Sequence, residues 1–552
     1  MAQTVLDNPI STRQASAPAG ALPVSGLFRR SLAALARSPW LWAGLAALAA
    51  LGYGAAMAVP AVDMDDLAIA TYQQGGEFLR QGRFTVWLLQ ALTGIMTCQR
   101  FWPEFFFALS LLGAGVVLAA GFFTAARRPA HRAGALVLAG GLLVWPYHGE
   151  ILIYSNQCGV GLGFLLCAGA LALALPHLLG GWRQGLPGAA GAAVLLAFAL
   201  GLYESFAPVW LTLIFAALLL DAAARDPYTR SAGQALCAAV RGLWPLAAGL
   251  VVRKGLTAAL CAVCGVTGEN GTASKTIFWF RRDSLRDALI IPLREWLTNY
   301  VATAFGVPAL ALLAAACLGL VVWAARRRCG NGKTLFAAGL LLAQFSLGLL
   351  QGTGAQMART TQCFAVFVPF VLWLWLDPAL ASPRRARQWG AAVCAAAVLA
   401  VELVSLTGTL RFNRDRWQYE ADILTGAAAR LDALDPGGTL PVAFAGEVTL
   451  PPELAQRLVI PPSNPAYKAA YLIAAVLGGP QGELYRYENP QTLVINWAQD
   501  AFGGKEQMYL LMEYIGRPCT AVTPDQQAEA SALAETLEPG VTVQDGYILV
   551  NF

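Results

Sequence analysis

Charged side chains are scarce in this chain. Only 13% of its 552 residues are Asp, Glu, Lys or Arg, whereas 57% are hydrophobic. A soluble domain has about 25% charged residues, so a large soluble core does not explain this composition. Several uncharged runs approach the length of about 20 residues that crosses the hydrocarbon core of a bilayer. The composition therefore predicts an all-α polytopic membrane protein.

Histidine is scarce as well, with three in the chain, which argues against a metal centre built from histidines. The 11 cysteines lie mainly inside apolar runs, where cysteine behaves as a small hydrophobic residue. Basic residues form no block interleaved with aromatics, so nucleic-acid binding has no support. No glycine-rich phosphate loop stands between a strand and a helix, so the sequence predicts no nucleotide-binding fold.

The apolar runs predict about eleven transmembrane helices. The predicted spans are residues 40–62, 101–125, 133–147, 159–179, 186–203, 205–221, 240–264, 302–325, 334–351, 363–381 and 388–409. Arginines precede the first span and recur in every second loop, for example at residues 127–128 and 326–328. Because cytoplasmic loops carry an excess of Lys and Arg, the N-terminus is predicted inside and the segment after the last span outside.

This topology divides the chain into three predicted parts. They are a cytoplasmic N-terminal tail at 1–38, a multi-span domain at 39–410 with outer loops 63–100, 266–300 and 352–362, and an extracytoplasmic domain at 411–552. The last part returns to polar, alternating sequence, with helical patterns at 453–475 and 506–515. Asp545-Gly546 suits a type I′ turn between alternating strands, so we predict a β-hairpin in a small α/β domain.

An acidic cluster directly follows the first predicted span, at Asp63, Asp65 and Asp66. Two interpretations are open from the spacing. Asp63 caps a helix lying in the membrane interface, with the next two acids favoured in its first turn. Alternatively, one carboxylate takes the proton from an acceptor hydroxyl. Adjacent helical residues point about 100° apart, so only one of Asp65 and Asp66 can face a given substrate.

Other polar residues lie close to the predicted outer face. Glu150 and Asn156 follow the third span, and Tyr203 and Glu204 lie at the turn between the fifth and sixth spans. Each is either a solvated turn residue or a substrate contact.

Three cations stand out on the predicted outer side or within a span. Arg253 and Lys254 interrupt an apolar segment, where a cation at mid-helix costs about 2.5–3.5 kcal/mol on insertion scales. They either snorkel to the interface or face a cavity. Arg359 runs against the positive-inside bias and is suited to bidentate phosphate contacts, although a surface ion pair is the alternative.

Together, several short motifs resemble those of the membrane glucosyl transferases of the serotype-conversion type (Gtr type II), within the C-type (GT-C) class of multi-span glycosyltransferases. The motifs are Asp65-Asp66-Leu67, Gly75-Gly76, Gly82-Arg83, residues 150–156, residues 202–205, the segment around Arg359 and the tail 545–550. The family often has an arginine shortly after its acidic pair. Residues 67–70 contain none, so Arg80 or Arg83 is the candidate replacement.

The resemblance implies a glycosyltransferase that moves a hexose, expected to be glucose, from a polyprenyl-phosphate donor to an envelope glycan or teichoic-acid-like acceptor. The reaction would take place on the outer face of the bacterial cytoplasmic membrane, with Asp65 or Asp66 as the general base. The residues expected to bind the donor phosphate are Arg83, Arg253, Lys254 and Arg359. The expected sugar or acceptor contacts are Glu150, Asn156, Tyr203 and Glu204. No cofactor or metal is required, since Arg and Lys can hold a leaving phosphate, although the acidic cluster could accept a divalent ion.

Two other functions fit parts of the sequence. A transporter or flippase of lipid-linked sugars would share the apolar bulk and the membrane-embedded cations, but no repeated pair of Gly/Pro-broken spans is found. A wall-polymer ligase would need the same phosphate-binding cations. The ligase differs from a hexosyltransferase in moving a whole chain rather than one sugar.

Overall fold

The computed structural model describes residues 23–59, 61–62, 66, 69, 73–74, 76–97, 101–225, 232–267, 284, 306–326, 331–347, 360–446, 448, 450–458, 468, 472 and 506–552. Helices dominate this part of the chain, and a small sheet lies at its C-terminal end.

Each predicted span contains a helix. The helices up to residue 434 are α1 (Val24–Ala36), α2 (Pro39–Ala58), α3 (Glu77–Arg80), α4 (Phe84–Thr93), α5 (Phe101–Ala125), α6 (Arg132–Leu143), α7 (His148–Ile151), α8 (Gly159–Gly180), α9 (Leu186–Leu202), α10 (Phe206–Ala224), α11 (Ala232–Val263), α12 (Gly306–Arg326), α13 (Asn331–Ala343), α14 (Phe364–Leu380) and α15 (Arg385–Leu434).

Seven helices among the described residues are long and apolar enough to cross a membrane, namely α2, α5, α8, α10, α11, α12 and α15. The helices in the other four predicted spans, α6, α9, α13 and α14, are apolar but shorter. The prediction of a mostly helical chain with several membrane-length helices is therefore confirmed. The count of eleven crossings and the inward placement of the N-terminus stay predictions.

Glycines allow the central helices to approach closely. A Cβ on Gly115 of α5 would lie 2.8 Å from the Cα of Ala139 in α6, and one on Gly161 of α8 would lie 2.6 Å from the carbonyl oxygen of Phe107. Small residues at such crossings permit the backbone contact that holds membrane helices together. The centre of the bundle is consequently built on α5, with α6 and α8 packed directly against it.

The segments that flank α2 are also helical. Within the predicted N-terminal tail, α1 packs on the bundle through one face that ends at the buried Leu35. In the predicted outer loop 63–100, the amphipathic stretch that contains Trp87 and Leu92 forms α4, as predicted. Leu92 is exposed and Trp87 packs against the core, so α4 has the two-faced character expected of an interfacial helix.

The helix α15 crosses the predicted domain boundary at residue 411 without a break, because it extends over 50 residues to Leu434. Its second half carries a buried stripe with a seven-residue spacing, at Trp417, Leu424 and Leu431. This stripe packs on the C-terminal sheet. A polar segment with one apolar face therefore continues the helix out of the bundle and into the core of the C-terminal domain.

The C-terminal domain contains β1 (Val442–Ala445), α16 (Pro452–Leu458), α17 (Glu506–Tyr514), α18 (Pro524–Ala534), β2 (Gly540–Gln544) and β3 (Tyr547–Asn551). The sheet order is β1-β3-β2. The antiparallel pair β2–β3 pairs Val541 with Val550, and Gly546 between the strands has φ of 83°. The predicted hairpin is thus confirmed, but the predicted type I′ turn is wrong. That turn needs a positive φ at both central residues, and Arg127 is the only described non-glycine residue with a positive φ, so Asp545 does not have one. The parallel pairing of β1 with β3 was not predicted.

Candidate functional site

One member of the acidic pair lies among the described residues. Asp66 is helical and partly buried, and its Oδ1 accepts a hydrogen bond of 2.6 Å from the backbone N–H of Ser155. Ile69, one turn later, is fully buried in the bundle and so anchors this segment. Asp65, and Asp63 with its predicted capping role, lie outside the described residues.

The partner of Asp66 belongs to a buried turn that leads into α8. Residues 155–157 form a short 3-10 helix, and Asn156 within it is 6% exposed. Asp66 therefore contacts the motif at 150–156, although Ser155 lies 89 positions further along the chain. Glu150 lies in α7 and is partly exposed, and the adjacent Gly149 packs against Thr409 of α15.

A second carboxylate faces the same region. Glu104, in the first turn of α5, is 2% exposed. Cys158, the residue before α8, lies close to both Glu104 and Asp66. Sequence reasoning missed Glu104, although a carboxylate inside an apolar span is itself a signal, since burial of an ionisable group in a membrane segment is costly.

Arg83, Tyr203, Glu204 and Arg253 form a second cluster, with Gly82 at its centre. The guanidinium of Arg83 lies 4.7 Å from the centre of the Tyr203 ring, a cation–π contact. Arg253 pairs with Glu204 through Nη2 and donates from Nε to the carbonyl oxygen of Gly82 at 3.3 Å. Three motifs that are distant in sequence therefore meet at this point.

Two glycines make this arrangement possible. Gly82 has φ of 73°, and a Cβ there would lie 2.7 Å from Nη2 of Arg253. Gly76 has φ of 69°, and its Cβ would lie 2.4 Å from the side chain of Val266. Both positions are left-handed and crowded, so glycine is the residue that fits. Lys254 is exposed on α11, whereas Arg253 is turned into the cluster.

The two clusters are neighbours. Gly159, directly after the turn that holds Asp66, packs against Leu202, which precedes Tyr203. On the other side, the hydroxyl of Ser205 donates to the side chain of Gln362. Gln362 follows Arg359 by three residues in sequence. Arg359 itself lies outside the described residues, as do most of the outer loops 266–300 and 352–362.

A cavity of about 470 Å³ adjoins the acidic site. We call it the α2–α15 cavity, because the end of α2 and the middle of α15 form its walls. Its lining residues include Gly52, Ala55, Ala56, Val59, Glu104, Leu152, Ile153, Val404, Arg411, Asn413, Arg414 and Arg416. Three of these residues, Arg411, Arg414 and Arg416, form a basic wall. The sequence alone does not indicate this wall, because the polar run 411–416 predicts the start of a soluble domain.

The described residues contain no group of three His, Cys, Asp or Glu side chains placed to hold a metal ion. Asp63 and Asp65 lie outside this part of the chain, so a reaction without metal stays a prediction. The described groups can support general-base catalysis and the binding of an anion. Carboxylates can accept a proton, and arginines beside them can stabilise the negative charge that develops on the phosphate.

Comparison with known protein families identifies one match. The family model of the glucosyl transferase GtrII matches residues 54–372, a range that includes every site residue predicted from the sequence. The tail motif at 545–550 and the basic wall at 411–416 lie beyond it. Searches of curated proteins and of solved structures give no match, so the GT-C-like fold stays a prediction.

Proposed function

The chain belongs to the glucosyl transferase GtrII family, and we propose that it moves glucose from a polyprenyl-phosphate carrier to an envelope glycan. The family makes it a glucosyltransferase. The donor, the acceptor, which includes teichoic-acid-like polymers, and the outer face of the bacterial cytoplasmic membrane are our proposals. A donor carried in the membrane suits a chain rich in apolar helices, since the sugar reaches the site without a nucleotide.

The observation that carries this proposal is the contact between Asp66 and the turn at Ser155 and Asn156. A carboxylate held by a backbone N–H has a defined position, which a general base needs. In the proposed step Asp66 takes the proton of an acceptor hydroxyl while that oxygen attacks the anomeric carbon. The bond from this carbon to the phosphate oxygen breaks, and its electron pair leaves with the phosphate. Asp65 shares this role only if it reaches the same substrate.

Four cations are our proposed ligands of the donor phosphate, namely Arg83, Arg253, Lys254 and Arg359. The contacts of Arg83 and Arg253 support placing these two cations close to the reacting atoms. Arg83 stacks on Tyr203, and Arg253 is paired with Glu204. The Glu204 carboxylate partly neutralises Arg253, so its pairing also orders the turn that contains Tyr203.

Asn156, Glu150, Tyr203 and Glu204 are the proposed sugar or acceptor contacts. Asn156 is the strongest of them, because it follows the residue that binds Asp66 and is buried in the same turn. An amide offers both donors and an acceptor to sugar hydroxyls.

The test is transfer of radiolabelled glucose from synthetic polyprenyl-phosphate-glucose to a cell-envelope extract. Purified wild type is compared with an Asp65→Ala/Asp66→Ala protein of matched thermal stability. Glu529→Ala, an exposed carboxylate of α18, is the control. We expect transfer by the wild type and the control and none by the double variant.

Two results would overturn the proposal. Full transfer by the folded double variant would remove the acidic residues from the mechanism. Movement of the lipid-linked sugar across liposomes without covalent transfer would instead identify a flippase.

A further inference from the structure

We propose that the α2–α15 cavity binds the phosphate and the adjoining isoprenoid units of the donor lipid. The inference rests on the proposed function and assigns a place to its donor. To the phosphate contacts proposed above it adds a basic wall, Arg411, Arg414 and Arg416, which lies outside the residues matched by the family model.

The cavity lies on the side of the bundle that is open to lipid. In the most apolar window of α2 only 22% of the residues are buried, and in that of α15 only 33%, compared with 83% in α10. The cavity wall on α2 consists of small residues, Gly52, Ala55 and Ala56. An isoprenoid chain can therefore enter from the membrane between two exposed helices and lie against an apolar surface.

The opposite wall carries an excess of positive charge. Arg411, Arg414 and Arg416 all line the cavity, and Arg416 is paired with Glu420 at 3.6 Å. Three guanidinium groups share the carboxylate of Asp415. Arg414 donates to it at 2.9 Å and Arg457 at 2.5 Å, and Arg411 lies 3.7 Å away. One carboxylate cannot neutralise three cations. A bound phosphate would supply negative charge and accept bidentate hydrogen bonds from arginine.

Asn413 provides a second and independent observation. It lines the cavity and is 6% exposed, and its Nδ2 makes no hydrogen bond to any described residue. A buried amide donor without an acceptor is unfavourable. An oxygen of a bound phosphate or sugar would satisfy it.

The cavity also leads to the acidic site. Leu152 and Ile153 line it and precede Ser155, which holds Asp66, by two to three residues. Glu104 lines it as well and, like Asp66, lies close to Cys158. A phosphate at the basic wall would thus place the attached sugar on the side of the acids. Arg253, by contrast, already forms an ion pair with Glu204.

The test measures binding of polyprenyl phosphate without sugar to the purified full-length protein in nanodiscs. Arg414→Gln removes one cation, and Asn413→Asp keeps the side-chain size but adds a negative charge. Arg430→Gln is the matched control, because Arg430 is exposed on the same helix. Arg253→Gln tests the other cation cluster. Inorganic phosphate and vesicles of phosphatidylglycerol compete in separate arms.

We expect Arg414→Gln and Asn413→Asp to weaken binding at least about tenfold, the loss of one hydrogen bond to a charged group, with Arg430→Gln unchanged. Asn413→Asp keeps this test valid if Arg414→Gln does not fold. Unchanged binding in folded Asn413→Asp, or a loss confined to Arg253→Gln, would overturn the proposal. Equal competition by phosphatidylglycerol or inorganic phosphate would overturn it too. Cavity-dependent binding with no glucose transfer by wild type would support this site and reject the proposed reaction.

Discussion

Replacing Asp66 with Asn separates the position of this residue from its charge. Asn keeps an oxygen where Asp66 accepts the 2.6 Å hydrogen bond from the Ser155 N–H, so the contact with the turn is retained. What is lost is the negative charge and with it the ability to take a proton. Asp65→Asn makes the same chemical change one position earlier and is the matched comparison.

The two expected effects differ in size. A hydrogen bond to a charged group contributes about 1.5–3 kcal/mol and a neutral one about 1 kcal/mol. Weakening the Ser155 contact should therefore lower the free energy of unfolding by about 1 kcal/mol. Loss of a general base lowers kcat about 10²–10⁴-fold, or roughly 3–5 kcal/mol of transition-state stabilisation. The loss of activity should greatly exceed the loss of stability.

The assay measures the initial rate of glucose transfer, with thermal unfolding in the same detergent. We expect Asp66→Asn to lose at least about 100-fold in kcat with its melting temperature nearly unchanged. Asp65→Asn should retain most of its activity, because the Ser155 N–H holds the carboxylate of Asp66. Transfer by Asp66→Asn within a few-fold of wild type would refute the assignment. Loss of transfer activity in Asp65→Asn alone would instead identify Asp65 as the general base.

The cluster around Gly82 and the residue Asp435 allow three further tests. Arg253→Lys cannot reproduce the fork that joins Glu204 to the Gly82 carbonyl. Because Glu204 is 38% exposed, we expect a loss of only about 1 kcal/mol in unfolding free energy, and an unchanged free energy of unfolding in denaturant titration would contradict the role of this pair. Gly82→Ala forces a Cβ to 2.7 Å from Arg253 at φ of 73° and should cost about 1–2 kcal/mol; a stability equal to wild type would disprove the crowding. The Leu440 backbone N–H donates to the carboxylate of Asp435 and holds its pKa below its usual value. The ionised carboxylate therefore stabilises the folded protein at pH values above the unfolded pKa of about 3.9. This stabilisation is lost as the pH falls through the pKa of Asp435 in the folded protein. Between pH 5 and pH 2, the sheet amides should therefore lose less protection from hydrogen exchange in Asp435→Asn than in wild type.

The segments that sequence alone predicted well are those set by local pattern. The apolar run at 101–125 coincides with α5, and the Asp545-Gly546 turn joins the two strands of the predicted hairpin. Both follow from residues that are adjacent in the chain. The apolar run predicts a helix, and a glycine accepts the positive φ that the turn requires.

Residues 411–434 show where local pattern was not enough. Their polar composition suggested the start of a soluble domain, yet α15 continues through them. The buried stripe at Trp417, Leu424 and Leu431 is stabilised by the C-terminal sheet, which lies far away in sequence. Tertiary packing of one amphipathic face extended the helix, and the same extension places the arginines of the α2–α15 cavity opposite α2.

The membrane class, the hairpin and the motifs of the GtrII family follow from the amino-acid sequence, because composition, periodicity and short motifs are local properties. Which groups meet depends instead on tertiary packing. Asp66 reaches a partner 89 residues away, and Arg253 reaches Gly82 across 171 residues. Such contacts depend on how helices pack against one another rather than on the propensity of any segment. The candidate site is therefore made of residues that the sequence could nominate, and of a basic cavity wall that only the packing of α2 against α15 created.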